Sequence, residues 1–197
     1  MVLKDKIIVE SLKLFSLRGF MGTTIDDILK ASKASKGGFY NHFKSKEDLF
    51  FEVLKEGRRI WRQRNLVGLS QTAPPLANVR LFLENFRDRY LKDAENFPGG
   101  CIFITLLVEL KDQRPHLAQE INRGFTGMKG MIRRYLGYAQ ELGELKQDVD
   151  VEAMTEMIFN GMLGATITYN LDRTDINVDT TFNFLISYLA DSQTIAA

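Results

Sequence analysis

Residues 24–50, TIDDILKASKASKGGFYNHFKSKEDLF, contain two adjacent glycines, Gly37 and Gly38, in a stretch that otherwise has helical character. Each glycine costs a helix interior roughly 1 kcal/mol relative to alanine. Ser35 is a favourable N-cap for the short helix that contains the glycines, and Thr24 is a favourable N-cap for the short helix before it. The pattern therefore predicts two short helices joined by a tight turn, with both glycines in the first turn of the second helix.

Two such helices, preceded by an apolar helix and followed by a longer one, are the arrangement of a helix-turn-helix, whose second helix enters the DNA major groove. Glycine there would let the backbone approach the duplex, because it has no Cβ, and the N–H groups of a first helical turn can bind a phosphate oxygen. No acidic residue lies between Asp27 and Glu47, whereas five lysines do. This positive patch favours an anionic partner, although spacing and charge alone equally allow a helix corner with solvated lysines.

The composition is that of an ordinary soluble globular protein: 197 residues, 45% hydrophobic, 26% charged, net charge +1. The charge is uneven, because residues 1–55 hold ten Lys/Arg and seven Asp/Glu, a net of +3, and the remainder is −2. The single cysteine, Cys101, excludes an intramolecular disulfide. The amino-terminal residues do not resemble a signal peptide and no apolar run has membrane-spanning length, so a cytoplasmic protein without a membrane contact is expected.

Apolar residues recur at helical spacing along nearly the whole chain, and no segment has a convincing strand pattern. We predict an all-α fold of about nine helices, with a three-helix helix-turn-helix domain over residues 1–48 and a larger helical domain over 49–197. The segments SQTAPPLANV (70–79) and NLDRTDINVD (170–179) are interpreted as a linker and a loop, because turn-forming residues are frequent in both.

The segment FSLRGFMGTTIDDILKASKASKGGFYNHFKSKEDLF (15–50) strongly resembles the DNA-binding region of TetR/AcrR-family transcriptional regulators. The matching pattern is an aromatic residue followed by RGF, TTI and SKGGFY-HFKSKEDLF, and beyond about the first 55 residues only the helical layout matches. The resemblance implies a homodimer, usually a repressor, that binds a pseudo-palindromic operator in double-stranded DNA. It also implies that the larger domain dimerises and binds a small-molecule effector, which releases the protein from DNA.

The family pattern assigns the DNA contacts residue by residue. Lys33 stands in the turn where the family usually has glycine; lysine tolerates positive φ poorly, and its side chain could itself touch the DNA backbone. Phe39 and Phe43, four residues apart, are expected to be core residues that anchor the reading helix. The predicted DNA-binding residues are Thr24, Lys33, Ser35, Lys36, Gly37, Gly38, Tyr40, Asn41, His42 and Lys46.

An apolar or aromatic effector is expected, because five of the seven methionines lie in residues 128–162 and aromatic residues accompany them. Methionine is flexible and polarizable, which suits a pocket for varied apolar ligands. Taken one at a time, methionines and aromatic residues at helical spacing are more often core. The predicted effector-binding residues are Trp61, Phe86, Tyr90, Phe103, Leu107, Met128, Met131, Tyr135 and Met157.

Two further features are open to two interpretations each. Cys101 follows FPGG at the expected start of the sixth helix, where a thiol gains reactivity, so it is a candidate redox sensor or a small buried hydrophobe. Small residues of the eighth helix and apolar residues of the ninth predict a four-helix dimer contact or ordinary intrachain packing. The predicted interface residues are Gly161, Gly164, Ala165, Phe182, Leu185, Ile186 and Leu189.

Other classes of protein give alternative functions. A helical small-molecule or lipid carrier without DNA binding fits the apolar second half but leaves residues 31–46 unexplained, and a helical adaptor would use the first domain to bind protein. An enzyme is not expected, because the chain has two histidines, no evident nucleophile–base pair and no phosphate-binding loop. Neither a cofactor nor a metal is expected.

Overall fold

The computed structural model describes residues 2–194, which form nine α-helices, one π-helical turn and no β-strand. The all-α prediction is confirmed. None of the helices in this range combines the length and the apolar character needed to cross a membrane. The helices are α1 (Leu3–Arg18), α2 (Ile25–Ser32), α3 (Lys36–Tyr40), α4 (Lys46–Asn65), α5 (Pro75–Asn85) with its π-helical continuation (Phe86–Tyr90), α6 (Ile102–Leu110), α7 (Pro115–Glu141), α8 (Val151–Asp172) and α9 (Asp175–Asp191).

The helices group into two compact units that do not follow chain order. The first unit comprises the residues up to Gln63 together with Asp93–Asn122, and the second comprises Arg64–Lys92 and the residues from Arg123 onward. Helix α6 therefore packs in the same unit as α1, α2 and α3. The expected functional domains, 1–48 and 49–197, stay a prediction, because a packing unit and a functional domain need not coincide.

Aromatic rings dominate the core of the first unit. Phe20, in the turn after α1, meets Phe15 and Phe50 edge to face, with ring centroids 5.5 and 5.3 Å apart, a favourable arrangement for aromatic pairs. Phe39 and Phe43 are fully buried, as the sequence predicted. Burial of each such side chain contributes about 1.5–3 kcal/mol, so the five-residue helix α3 is stabilised by packing rather than by its own helix propensity.

Helices α8 and α9 form a helical hairpin in the second unit, with α5 packed on α9. Phe182 of α9 stacks on Phe86, with ring centroids 5.9 Å apart, and Phe86 lies 5.1 Å from Tyr90 by the same measure. An ion pair between Lys129 and Glu156 joins α7 to α8 on the surface. The aromatic cluster and the hairpin both contribute to the buried centre of this unit.

The loop predicted at residues 170–179 was wrong, since only two residues separate α8 from α9. Arg173 adopts the left-handed conformation with φ 56° and ends α8. The Asp172 carboxylate accepts hydrogen bonds from both the backbone N–H and the hydroxyl of Thr174. These local bonds let the chain reverse within two residues, so the polar residues expected to form a loop lie in the helix ends instead.

The linker predicted at residues 70–79 is shorter than expected. Helix α5 begins at Pro75, because proline is favourable at a first helical position, where its missing N–H has no intrahelical partner to lose. The second half of the predicted linker is therefore helical.

Candidate nucleic-acid interface

A reciprocal capping box fixes the start of α2. The Asp27 N–H donates to Thr24 Oγ1 (3.1 Å), while the Thr24 N–H and hydroxyl donate to Asp27 Oδ2 (2.9 and 2.6 Å). The hydroxyl and N–H of Thr24 lower the pKa of the Asp27 carboxyl, because they stabilise its charged form, and Arg18 and Lys30 add a smaller electrostatic effect. Thr24 thus caps its helix as predicted and stays exposed to solvent.

Lys33 ends α2 in the left-handed conformation, with φ 56° and ψ 32°. Its N–H donates to the Lys30 carbonyl, and the Ala34 N–H donates to the Leu29 carbonyl (3.4 and 3.0 Å), a closing pattern that glycine usually makes. A side chain in this conformation costs about 1–2 kcal/mol. Because the Lys33 side chain is exposed, packing within the chain does not offset this conformational cost. A lysine kept at a strained position is consistent with a role for its charge in contact with a partner.

The first turn of α3 exposes bare backbone. Ser35 caps the helix by accepting a hydrogen bond from the Gly38 N–H (3.0 Å). A Cβ added at Gly37 would meet no atom within 4 Å, whereas one at Gly38 would lie 3.2 Å from Leu3 Cδ2 and from Ser35 Oγ. Packing inside the protomer therefore gives no reason for a glycine at position 37. The open space at Gly37 leaves the backbone of this first turn accessible to a partner.

Eight of the ten predicted DNA-binding residues are exposed, and Gly38 and Lys46 are half-buried. One of the two acidic residues at the start of α4, Asp48, is engaged in a second cap: its carboxylate accepts from the Lys44 N–H (2.9 Å), and its own N–H donates to Ser45 Oγ (3.1 Å). Within residues 2–194, no ion pair neutralises four lysines of this segment. They are Lys30, Lys33, Lys36 and Lys44.

Lys46 points into the protein in this conformation. Its Nζ donates to the carbonyls of Phe20 and Thr23, both at 2.8 Å, and lies 4.3 Å from the Phe20 ring centroid. Burial lowers the pKa of Lys46, Glu109 opposes that shift electrostatically, and Arg114 adds to it. Two of the three ammonium hydrogens are already bonded, so a DNA contact by Lys46 stays a prediction, and its observed contacts hold the turn between α1 and α2.

Sequence reasoning missed a carboxylate that holds the same turn. Glu109, near the end of α6, accepts hydrogen bonds from the backbone N–H groups of Phe20 (2.7 Å) and Met21 (2.9 Å). Ser16 of α1 similarly joins the segment before α6, by donating to the Gly100 carbonyl at 3.0 Å. These partners lie more than eighty residues apart in the chain, so no local sequence pattern predicts their contacts.

The predicted effector residues of the second unit lie in different environments. Phe86 and Tyr90 are 3% and 2% exposed within the aromatic cluster, and Met128 is also buried. Met131 and Tyr135 are half-buried. Met157 is 48% exposed, so it lies on an open surface of α8, whereas a pocket residue would be largely enclosed by its neighbours.

The remaining three predicted effector residues, Trp61, Phe103 and Leu107, are half-buried in the first unit. The second unit contains a cleft of about 460 Å³ that includes none of the nine predicted residues. Its lining residues are Pro74, Leu76, Ala77, Arg80, Glu144, Ile186, Leu189, Ala190, Gln193 and Thr194.

Most of the predicted dimer residues pack inside the protomer instead. Ala165, Phe182, Leu185 and Leu189 are all at most 4% exposed, and a Cβ at Gly161 would lie 3.1 Å from Leu185 Cδ1. The apolar side of α9 packs against the small-residue side of α8. This packing favours the alternative interpretation for these residues, and their place in a dimer contact stays a prediction.

The exposed side of α8 carries a separate stripe with spacings of three and four residues, the pattern of a coiled-coil seam. Its members are all exposed: Met157, Asn160, Gly164, Ile167 and Leu171. On α9, Ile176 and Phe184 are 75% and 62% exposed. Of the predicted interface residues, Gly164 belongs to this stripe, and the stripe itself is readable from the sequence as a 3-4-3-4 repeat.

Cys101 occupies the N-cap position of α6 and is 7% exposed, with no side-chain hydrogen bond to the helix end. Its predicted role as a redox sensor stays a prediction, because the thiol is buried and burial slows reaction with a solute.

Two family models match the chain. The model described as bacterial regulatory proteins, tetR family, covers residues 7–53, and the model described as tetracyclin repressor-like, C-terminal domain, covers residues 75–185. The HTH-type transcriptional repressor DhaR of Mycobacterium sp. strain GP1 is 25% identical over 173 residues, which span 86% of this chain and 83% of that protein.

Two further comparisons concern the amino-terminal region and the whole fold. The HTH-type transcriptional regulator QacR of Staphylococcus aureus is 44% identical over 64 residues, 32% of this chain and 34% of that protein. The crystal structure of a TetR transcriptional regulator from Chloroflexus aurantiacus superposes with a TM-score of 0.89 at 26% identity and covers 98% of this chain and 97% of that one.

The capped pair of short helices, with their uncompensated lysines and bare first turn, defines a helix-turn-helix DNA-binding regulator. With both family models matched along most of its length, the chain belongs to the TetR family of transcriptional regulators. It is a ligand-responsive regulator of transcription, and the resemblance drawn from residues 15–50 is confirmed. A carrier or an adaptor that does not bind DNA disagrees with this membership.

Proposed function

We propose that the protein is a cytoplasmic repressor that acts as a homodimer and places α3 of each protomer in successive major grooves of a pseudo-palindromic operator. The observation that carries this proposal is the exposed first turn of α3, where Gly37 leaves the backbone open. A backbone without Cβ can approach a duplex closely. The two half-sites would lie about 34–36 Å apart, one helical turn of DNA.

The exposed side chains divide into two roles. Lys33 and Lys36 would bind phosphates and account for much of the affinity, while hydroxyl and amide groups fix the register of α3 on the backbone or contact base edges. Gly38 has no side chain for a base contact. The remaining side chains proposed for register and readout are Thr24, Ser35, Tyr40, Asn41 and His42.

DNA binding can be tested by fluorescence anisotropy with the DNA upstream of the protein's own gene. If a dimer neutralises six to ten phosphates, its affinity should fall by about 10³–10⁵ between about 50 and about 200 mM salt. Replacing Lys36 by Gln should reduce the slope of log K against log salt by about 0.9 for each phosphate that is no longer neutralised. Lys55, an exposed lysine of α4, provides the control: Lys55→Gln should leave the slope unchanged. A wild-type protein that ignores this DNA at low salt would contradict the proposal.

A homodimer is supported by the exposed stripe on α8 and by the exposed apolar residues Ile176 and Phe184 of α9. Leu171 and Ile176 are 81% and 75% exposed, and burying such side chains against a second copy gives roughly 25 cal/mol for each Å² of apolar surface covered. Four helices, two from each protomer, would then meet across a two-fold axis.

Leu171→Asp tests this interface, because it places a charge in the proposed contact. Sedimentation equilibrium should give twice the 22.5 kDa chain mass for the wild type and the single chain mass for the variant. Val108 of α6 is 66% exposed and lies outside the proposed contact, so Val108→Asp should remain dimeric. A Leu171→Asp protein that is still dimeric at micromolar concentration would rule out this face.

We further propose that a small apolar or aromatic effector, bound near the predicted residues Trp61, Phe103 and Leu107 of the first unit, releases the dimer from DNA. Trp61 is the only tryptophan, so its fluorescence reports on a ligand that binds nearby. A panel of apolar, aromatic and charged compounds should contain apolar or aromatic members that quench Trp61 and weaken DNA binding together. Such coupling requires a difference in ligand affinity between the two states of the protein. If only charged compounds quench Trp61 and weaken DNA binding, the proposed effector class is wrong.

We also propose that Cys101 senses reactive electrophiles, a response that can be tested separately from effector binding. If a reactive electrophile releases the wild-type protein from DNA through this thiol, Cys101→Ser should remain bound under the same treatment. Equal release of both proteins would remove Cys101 from the mechanism.

A further inference from the structure

The turn between α1 and α2 is bound from α6 by a carboxylate that uses both of its oxygens. Glu109 Oε2 accepts from the Phe20 N–H at 2.7 Å, and Oε1 accepts from the Met21 N–H at 2.9 Å. Hydrogen bonds to a charged acceptor are about twice as strong as neutral ones. The capping box that begins α2 follows within a few residues, so the position of this turn determines where the reading helices start.

The turn is built to admit this carboxylate. Gly19 has φ 72°, and a Cβ there would lie 2.5 Å from Glu109 Oε1, so a side chain at position 19 would exclude Glu109. From α4, Lys46 donates to the carbonyls of Phe20 and Thr23. The two N–H groups of the turn are therefore bound by an anion from α6, and two of its carbonyls by a cation from α4.

A second contact joins the start of α6 to the end of α1. Ser16 Oγ donates to the Gly100 carbonyl and accepts from the Gly99 N–H, both at 3.0 Å. A Cβ at Gly99 would lie 1.9 Å from the Ser16 carbonyl oxygen, so the two backbones are as close as a glycine allows. The segment from Gly99 to Glu109 is thus attached to α1 and its turn at both ends, and a displacement of α6 must move the turn or break these bonds.

We propose that Glu109 is a positioning residue through which α6 sets the orientation of the DNA-reading helices. The inference rests on the proposed DNA-binding function and deepens it, because it names the bond that transmits a shift of α6 to α2 and α3. Glu109 touches neither DNA nor effector in this mechanism. Its role is to keep the Phe20 and Met21 amides at a fixed place relative to α6.

Glu109→Gln separates positioning from electrostatics. Removing a negative charge from a DNA-binding unit should by itself strengthen DNA binding, whereas a loosened turn should weaken it. An amide keeps one acceptor oxygen and turns its NH₂ group toward the second N–H, so only one of the two hydrogen bonds can remain and the turn is no longer held at both amides. We expect operator DNA from the upstream region to bind about 5- to 150-fold more weakly, the usual range of coupling between sites, with an unchanged salt slope.

The matched control is Glu120→Gln. Glu120 lies on α7 in the same unit and pairs with Arg58 at 2.8 Å, so this variant removes the same charge away from the turn. Its DNA affinity should equal that of the wild type or exceed it slightly. Amide hydrogen exchange should accelerate at Phe20 and Met21 in Glu109→Gln and stay slow in Glu120→Gln.

A double-mutant cycle tests transmission directly. Gly99→Ala forces the start of α6 away from α1 and so imitates a shift of α6. We expect it to weaken DNA binding in the Glu109 chain and to have a much smaller effect in the Glu109→Gln chain, because the connection is then already broken. If Gly99→Ala does not fold, Ser16→Ala perturbs the same contact with less steric conflict and takes its place in the cycle.

The outcomes separate the inference from the function on which it rests. If the wild type does not bind the upstream DNA, the proposed function fails. If the wild type binds and Glu109→Gln binds as well or better, with a lower melting temperature as its only defect, the carboxylate is merely structural and the inference is overturned. Additive effects of the two substitutions in the cycle would overturn it as well.

Discussion

Gly37→Ala should make the free protein more stable and should weaken its binding to DNA. The residue is exposed, and a Cβ built on its backbone meets no atom within 4 Å, so alanine fits without strain in the protomer. Alanine is better than glycine in a helix by about 1 kcal/mol. Because α3 has five residues and position 37 lies in its first turn, about half of that gain is a reasonable expectation. For a chain of this size the melting temperature should rise by about 1–2 °C.

The same methyl group should oppose DNA binding. If the first turn of α3 lies against the duplex, the added carbon overfills a closed contact, which in packed interiors costs about 1–3 kcal/mol. That range corresponds to a dissociation constant about 5- to 150-fold higher for each protomer engaged. No charge changes, so the slope of affinity against salt should stay that of the wild type.

The assay combines thermal unfolding with anisotropy titration of the upstream DNA. Gly127 of α7 is also exposed, with no atom within 4 Å of a built Cβ, and Gly127→Ala serves as the matched control: it should raise the melting temperature without changing DNA affinity. A Gly37→Ala protein that binds DNA as tightly as the wild type would refute the argument that the glycine provides backbone access to the duplex.

Four other substitutions have clear expected outcomes. Lys33→Gly should relieve the left-handed strain and raise the free energy of unfolding by about 1 kcal/mol, while lowering the salt slope of DNA binding, as seen in thermal melts and salt titrations. Ser11 and Ser16 are both buried in α1, but in residues 2–194 Ser11 Oγ has no hydrogen-bond partner, whereas Ser16 Oγ has two. Urea unfolding should therefore find Ser11→Ala neutral or stabilising and Ser16→Ala destabilised by about 1–3 kcal/mol; equal effects would contradict the hydrogen-bond assignment. Asp27 has a pKa lowered from 3.8 by its bonds to Thr24, so its stabilising effect is complete above that pH and is lost as pH falls through the lowered value. Asp27→Asn should accordingly melt at a lower temperature than the wild type at neutral pH, and the difference should disappear in acid; a difference that persists there would point to packing instead.

Local chemistry explains which parts of the site could be predicted. Thr24 and Ser35 each accept a hydrogen bond from an N–H group three residues further along the chain. Their capping roles therefore follow from residue type and spacing. Phe39 and Phe43 lie on one side of the chain because they are four residues apart, and both are buried. Short-range effects of this kind are present in any window of the sequence.

Long-range packing explains why the other features do not follow from the sequence. Glu109 is the only charged residue of the otherwise apolar helix α6, but its residue type and position do not name a partner, because only the folded first unit brings it to the Phe20 amide, 89 residues away. Lys46 resembles the other lysines of its segment, yet the carbonyls of the turn draw its ammonium inward. For α8, residue size points to the small residues as the interface. In the structure Gly161 and Ala165 pack within the chain, whereas Gly164 lies in the exposed stripe.

The composition of the first unit has a consequence for biosynthesis. A ribosome that has just released Gln63 has delivered the reading helices but not Asp93–Asn122, which belong to the same unit. At typical elongation rates of about 5–20 residues per second, the missing segment follows some 3–12 seconds later. Until then the Ser16 hydroxyl and the Met21 amide must rely on water, so the nascent amino-terminal region should acquire protease resistance only after residue 122 has left the exit tunnel.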